Sequence, residues 1–332
     1  MVGAGAIGSV TGGLLAREGE EVWLLGRPWH LDQVREKGLF IRGFLGEHRV
    51  TSCHLAEGTH QLPVLQWDVI LVAVKSYSTE QAAELLPPLL SFSTKVVSLQ
   101  NGLGNWEILS RYVPPGQLVG GRVIFGVEME PGAATVTVWG GDILLGPVFS
   151  QMKGKEIEPI AQRLSAAGLP ARVTPTIKEA LWSKVIYNSC LNPLSTLLEI
   201  PYGRLLETEE TRRMMRQVAQ EAYEVAQAEK LELEPSSSDA YVEELFDRLI
   251  PATAAHHPSM LQDIHLGRRT EIDSLNGALV RLASVRGIPA PANEFLTGLI
   301  KAKENFSRLP GSHSEREKTT FSRRQDGTDC RD

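Results

Sequence analysis

The chain is poor in cysteine, in positive charge and in long apolar runs. Its three cysteines, Cys53, Cys190 and Cys330, are odd in number and scattered. They match neither a disulfide framework nor a metal-ligand spacing, so reduced thiols and no metal are expected. The net charge of −6 lacks the basic footprint of a nucleic-acid binder. No apolar run reaches the ~18 residues of a membrane span, and the N-terminus lacks the basic segment of a signal peptide. The expectation is a cytoplasmic protein without membrane or nucleic-acid partners. What remains is ordinary for a globular protein, at 42% hydrophobic and 22% charged residues. A length of 332 residues allows two domains, each with its own core.

Residues 3–8 read G-A-G-A-I-G, followed by a helical pattern to about Arg17 and a strand at 21–25. G-x-G-x-x-G alone is a weak signal. In this setting it fits a dinucleotide-binding βαβ unit, with Gly3, Gly5, Ala6, Ile7 and Gly8 forming the phosphate-binding turn. The glycines permit the tight turn and close backbone approach, and the helix start offers free N–H groups to a pyrophosphate. Only Met1 and Val2 precede the motif. The strand expected there is central in a doubly wound sheet, so it reads as truncated: either the true start lies upstream or the chain is a shortened form. The second strand ends in Gly26-Arg27-Pro28, without the Asp or Glu that usually holds the ribose of NAD. Arg27 suits a 2′-phosphate through bidentate, charge-assisted bonds, which predicts NADP(H); the plainer reading is a surface loop arginine.

Short strands are predicted at 39–41 and 50–54, and strands buried on both faces at 68–75 and 95–100. Lys75 and Asn101 follow the last two, where ligands bind in open α/β sheets. Each has a plainer reading, as a helix-capping surface lysine and as the first residue of an Asn-Gly turn. Stretches 119–127, 135–138 and 143–145 read as antiparallel strands added to the sheet edge. A helix at 156–167 and a strand at 171–173 follow.

Beyond Pro175 the pattern is helical, at 178–192, 207–229, 238–249, 259–263 and onward, 272–286 and 292–306. These patterns divide the chain into residues 1–175, an α/β dinucleotide-binding domain, and 176–308, an all-helical domain. Residues 309–332 read as a disordered polar tail. The stretch L-W-S-K-V-I-Y-N-S-C-L-N-P at 181–193 is the most informative part of the second domain. Lys184, Asn188 and Asn192 recur every four residues on one face of an otherwise apolar helix, and Pro193 is expected to end or kink it. That face is either a solvated stripe or one wall of a polar cleft. Ser259 and Gln262 have capping-box spacing. Glu271 lies where the helical pattern restarts, as a favourable charge at a helix start or as a cleft residue.

Together the blocks G-A-G-A-I-G, Val74-Lys75, Q-N-G-L-G-N at 100–105, W-S-K-V-I-Y-N-S-C-L-N-P, S-M-L-Q-D at 259–263 and R-R-T-E-I-D at 268–273 resemble the ketopantoate reductase (2-dehydropantoate 2-reductase) family. The resemblance runs from Gly3 to about Phe306. It implies a Rossmann-type domain followed by a helical domain of the 6-phosphogluconate dehydrogenase C-terminal type. It implies NADPH-dependent reduction of the 2-oxo acid ketopantoate to pantoate, a step towards pantothenate and coenzyme A. By the same resemblance Lys184 is the catalytic lysine and Glu271 its acidic counterpart. Asn188, Asn192 and Ser259 contact substrate, Lys75 and Asn101 lie between cofactor and substrate, and Arg27 holds the 2′-phosphate. The chemistry agrees: a lysine ammonium can polarise a keto oxygen and protonate it. Another 2-oxo acid reductase of this architecture, or a non-catalytic NADPH-binding protein, fits the same pattern less fully. The sequence leaves a homodimer open.

Overall fold

The structure is a computed structural model and describes residues 1–308; the predicted tail at 309–332 and Cys330 lie outside the described residues. The first half carries eleven strands in two sheets. The strands are β1 (Trp23–Leu25), β2 (Leu39–Gly43), β3 (His48–Val50), β4 (His54–Ala56), β5 (Val69–Val72) and β6 (Lys95–Ser98). They continue with β7 (Leu118–Arg122), β8 (Phe125–Glu130), β9 (Ala133–Trp139), β10 (Ile143–Pro147) and β11 (Ala171–Val173). One sheet runs β5-β6-β7-β10-β11, with β5, β6 and β7 parallel. β1 and β4 form a parallel pair beside it.

The residues ahead of the glycine motif join these two parts. Val2 bridges Leu25 and Val72 in parallel, donating its N–H to Leu71 O at 2.7 Å, while Met1 O accepts from Leu25 N at 2.9 Å. The central position that the sequence reading left nearly empty is therefore occupied by Met1 and Val2. The apolar runs of β5 and β6 are buried on both faces, as parallel strands require. Ile70, Val72 and Val96 pack into one core cluster and Leu71 and Val97 into another. Helices α1 (Ala6–Arg17), α2 (Pro28–Lys37), α3 (Thr79–Glu84), α4 (Asn105–Leu109) and α5 (Glu158–Ala166) cover the sheet.

The predicted strand at 119–127 is corrected. It breaks at Val123–Ile124: β7 pairs in parallel with β6 inside the main sheet, while β8 crosses into a second sheet of order β3-β2-β9-β8. Only β10 is antiparallel to β7. At the break the carbonyls leave the ladder and find other donors, Ile124 O from Gly140 N at 2.7 Å and Val123 O from the Lys184 side chain.

The second half is α6 (Ile177–Leu198), α7 (Glu209–Ala228), α8 (Ser238–Glu244), α9 (Ile250–Ala252), α10 (Ser259–His265), α11 (Asn276–Arg286) and α12 (Pro291–Ser307). Among the described residues no helix is long and apolar enough to cross a membrane. The 22-residue α6 belongs to two cores. Ile177 and Leu181 pack with the sheet cluster, whereas Trp182, Ile186, Cys190, Leu191 and Leu194 pack among the helices. Cys190 and Cys53 are free thiols.

Pro193 does not end α6, which continues to Leu198. A helix-interior proline leaves the carbonyl four residues earlier without its amide partner. Here Ser189 O accepts instead from Asn276 Nδ2 at 3.1 Å. Asn276 Nδ2 also donates to Asn293 Oδ1 at 3.0 Å, and Asn293 Nδ2 donates to Glu221 at 2.8 Å. The buried Glu221 carboxylate in turn accepts the first-turn amides of Ala292 and Asn293 and so caps α12. This buried network explains why the proline is tolerated.

Replacing its central residue tests that account. Asn276→Ala strands a carbonyl and an amide oxygen, at ~1–3 kcal/mol for a buried group left unpaired. Denaturant unfolding should show a loss of at least ~2 kcal/mol; a change below ~0.5 kcal/mol would mean that Ser189 O has another donor.

Candidate active site

The C-terminal ends of the parallel strands open into a cavity of about 1230 Å³, closed on the other side by the helices. The glycine turn forms one wall. Gly3 has φ +100°, and a Cβ there would lie 2.7 Å from Val74 N; a Cβ at Gly8 would lie 2.0 Å from Gly3 O. Both positions are restricted to glycine by close packing. Gly5 differs: nothing lies within 4 Å of its Cβ position, and it lines the cavity with Gly3, Ala6 and Ile7. Gly8 is buried behind the turn. α1 starts at Gly5 with no side-chain cap and no acid in its first turn. Uncapped amides, positive dipole and clear space together fit the pyrophosphate of a dinucleotide.

Arg27 follows β1 and lies exposed on the same cavity. The sequence reading saw no carboxylate at this corner. The fold brings one from the adjacent strand: Glu57, just after β4, also lines the cavity and accepts from Arg35 Nη2 at 3.3 Å. Neighbouring strand ends meet only through sheet pairing, so no local signal could have placed Glu57 there.

An ionic cluster ties the two halves together. Lys75 Nζ lies 2.8 Å from Asp263 Oδ2 and 3.4 Å from Glu271 Oε2. Glu271 Oε1 accepts from Ser76 N at 2.9 Å, and Ser274 Oγ donates to Ser76 Oγ at 2.8 Å. Burial alone would lower the Lys75 pKa, but the charges of Glu271 and Asp263 outweigh it and hold the ammonium above the ordinary lysine range. Burial raises the Asp263 carboxyl, and Lys75 partly offsets that. Asp263 was part of a recognised motif, but the sequence reading gave it no role.

Lys184 projects from α6 between the two halves. Its ammonium donates to Asn101 Oδ1 and to the Val123 carbonyl. Burial first, and then the Arg122 charge, push its pKa down to about 7, while Glu271 pulls it back. The resemblance makes Glu271 the acidic counterpart of this lysine and the partner of the substrate hydroxyl. Its carboxylate is committed to Lys75 and Ser76 and reaches Lys184 only through its charge. Asn101 does stand in a turn, as its plainer reading had it, yet its side chain points to the cleft. Asn105 Nδ2 holds the turn at Asn101 O, 2.8 Å away, and Thr79 Oγ1 donates to Asn105 Oδ1 at 2.7 Å.

Asn188 and Asn192 line the same cavity as Lys184, so the polar stripe of α6 faces the cleft. Ser259 is there too, but its expected capping box does not form. Pro258 is the N-cap, Ser259 is the first residue of α10, and no side chain caps the helix. The sequence reading missed the aromatic part of the wall, where Tyr187, Tyr202 and His256 pack edge to face.

Residues 1–148 match the family model described as ketopantoate reductase PanE/ApbA, and residues 176–304 match its C-terminal model. The chain is 34% identical over 308 residues to the 2-dehydropantoate 2-reductase of Aquifex aeolicus, covering 92% of this chain and 97% of that one. A crystal structure of a PanE/ApbA family ketopantoate reductase from Ralstonia eutropha superposes with a TM-score of 0.82 at 32% identity, over 93% of this chain and 98% of that one. A ternary structure of D-mandelate dehydrogenase with NADH and anilino(oxo)acetate also gives a TM-score of 0.82, at 30% identity and the same coverage. By family models over both halves and by relatives along almost its whole length, the chain belongs to the PanE/ApbA ketopantoate reductase family.

Proposed function

We propose that this oxidoreductase reduces 2-dehydropantoate to pantoate with NADPH. The observation that carries the reading is the Lys184 ammonium. It is half-buried, has no carboxylate bonded to it, and faces a cavity whose opposite wall is the uncapped glycine turn. A bound nicotinamide supplies the hydride. Lys184 then donates a hydrogen bond to the keto oxygen, stabilises the developing alkoxide and passes it a proton. Asn101 and Val123 O hold the ammonium in place. Asn188, Asn192 and Ser259 orient the substrate carboxylate and hydroxyl. Glu271 keeps lone pairs free on both oxygens and accepts from the substrate hydroxyl. Lys75 balances its charge and, with Asn101, would line the wall between cofactor and substrate. Arg27 takes the 2′-phosphate, and closure of the cleft excludes water.

A second reading has its own support. Glu57 stands on the wall shared with Arg27, and the D-mandelate dehydrogenase structure is a ternary one with NADH and anilino(oxo)acetate. Under that reading the chain reduces a bulkier 2-oxo acid with NADH. A panel of 2-oxo acids against both cofactors separates the two, since turnover confined to bulky acids with NADH overturns the first.

Arg27→Ala should weaken NADPH by ~1.5–3 kcal/mol, the worth of a charged hydrogen bond, and NADH far less. Equal loss for both cofactors in a binding titration would remove Arg27 from the phosphate site.

Lys184→Ala should lower kcat by two to four orders of magnitude, the usual range for a general acid or oxyanion donor, with dinucleotide Kd little changed. The pH dependence has a definite sign. The acid must carry its proton, and the free-site lysine titrates at about 7. At saturating cofactor, kcat/KM for reduction should therefore be level below pH 7 and fall about tenfold per unit well above it. The limb on kcat should lie higher, because a bound anionic substrate stabilises the ammonium. A flat kcat/KM profile from pH 6 to 9, or near-normal kcat in Lys184→Ala, would remove Lys184 from the proton transfer.

A further inference from the structure

Asn192 is not alone on its wall. Tyr202 OH donates to Asn192 Oδ1 at 2.5 Å, and the two residues are only 3% and 6% exposed. We propose that Tyr202 is a positioning residue: it holds the Asn192 carboxamide with its Nδ2 turned to the cavity, so that this wall donates to the carboxylate of the substrate. The inference rests on the reading of the cavity as a 2-oxo acid site.

The hydrogen-bond inventory fixes the orientation of the amide. A phenol has one proton to give, and a carboxamide presents one accepting and one donating end. Tyr202 OH donates to no other acceptor among the described residues. Were the amide reversed, that proton would be stranded in a buried corner, at the cost of an unpaired donor. The oxygen end is thereby turned to the phenol, and the N–H₂ end remains for a ligand. A carboxylate only accepts, so it matches this end and not the other.

Tyr202 is itself held rigidly. Its ring meets Tyr187 edge to face at 6.0 Å and His256 at 5.2 Å. Its N–H donates to His256 O at 3.0 Å, and the next amide, Gly203 N, to Ala254 O at 2.9 Å. The ring cannot swing away without breaking these contacts, so the phenol presents its hydroxyl from one direction. Preorganisation of this kind appears in substrate affinity, because the bond is the same in ground and transition states.

The test is a double-mutant cycle on Tyr202→Phe and Asn192→Ala, read as KM and kcat for the 2-oxo acid at saturating NAD(P)H. Tyr202→Phe should raise KM about 3- to 10-fold, the worth of one net hydrogen bond, with kcat within about twofold and dinucleotide Kd unchanged. Once Asn192 is alanine, Tyr202→Phe should add almost nothing, since it acts only through that amide. Asn192→Asp should raise KM more than Asn192→Ala, because the wall then presents a negative oxygen to an anion. It carries the test by itself if Tyr202→Phe does not fold. Multiplying KM effects in the cycle, or an Asn192→Asp enzyme with near-normal KM, would overturn the assignment while leaving the wild-type activity intact. A wild-type protein that reduces no 2-oxo acid would overturn the underlying reading and this inference with it.

Discussion

The site depends on one helix being buried in two cores. α6 starts against the parallel sheet with Ile177 and Leu181 and ends among the helices with Cys190, Leu191 and Leu194. A helix anchored by apolar burial at both ends has little freedom to rotate, because each buried side chain would lose its packing. The polar stripe between the anchors is then fixed towards the cleft. Asn276 completes the constraint by taking the Ser189 carbonyl that Pro193 leaves unpaired, so the helix runs on past Asn192. Without that partner the cavity-lining Asn192 amide would sit at a frayed helix end.

Two lysines meet in the cleft with opposite environments. Lys75 is held as an ammonium by two carboxylates from the helical half, and it ties α10 and the Glu271 turn to the end of β5. Taking two carboxylates out of water is expensive unless each is paired and hydrogen-bonded, and here Ser76 N and the half-buried Lys75 meet that need. Lys184 has neutral partners only, and burial together with Arg122 lowers its proton affinity. Lys75 thus keeps its charge, while the Lys184 pKa is lowered to about 7. Two identical side chains are shifted in opposite directions because the carboxylates stand on one and not on the other.

The same division sets how Glu271 acts on Lys184. The resemblance supplied an acid and a lysine and paired them. In three dimensions the acid is nearer to a different lysine, which the chain delivers from the end of β5. Its influence on Lys184 persists as a field effect and not as a hydrogen bond.

The sequence by itself determined the parts whose signals are local. The glycine turn was legible because positive φ at Gly3 and close approach at Gly3 and Gly8 restrict both to glycine, and β5 and β6 because strands buried on both faces are continuously apolar. The α6 stripe was legible because four-residue spacing marks a helix face whatever that face meets. Tertiary structure alone decided what each face meets. It split the stretch at 119–127 between two sheets, placed Glu57 beside Arg27, denied Ser259 its capping box and gave Asn192 to Tyr202. These outcomes follow from strand pairing and helix packing between residues far apart in the chain, and such contacts leave no periodicity for a local pattern to record.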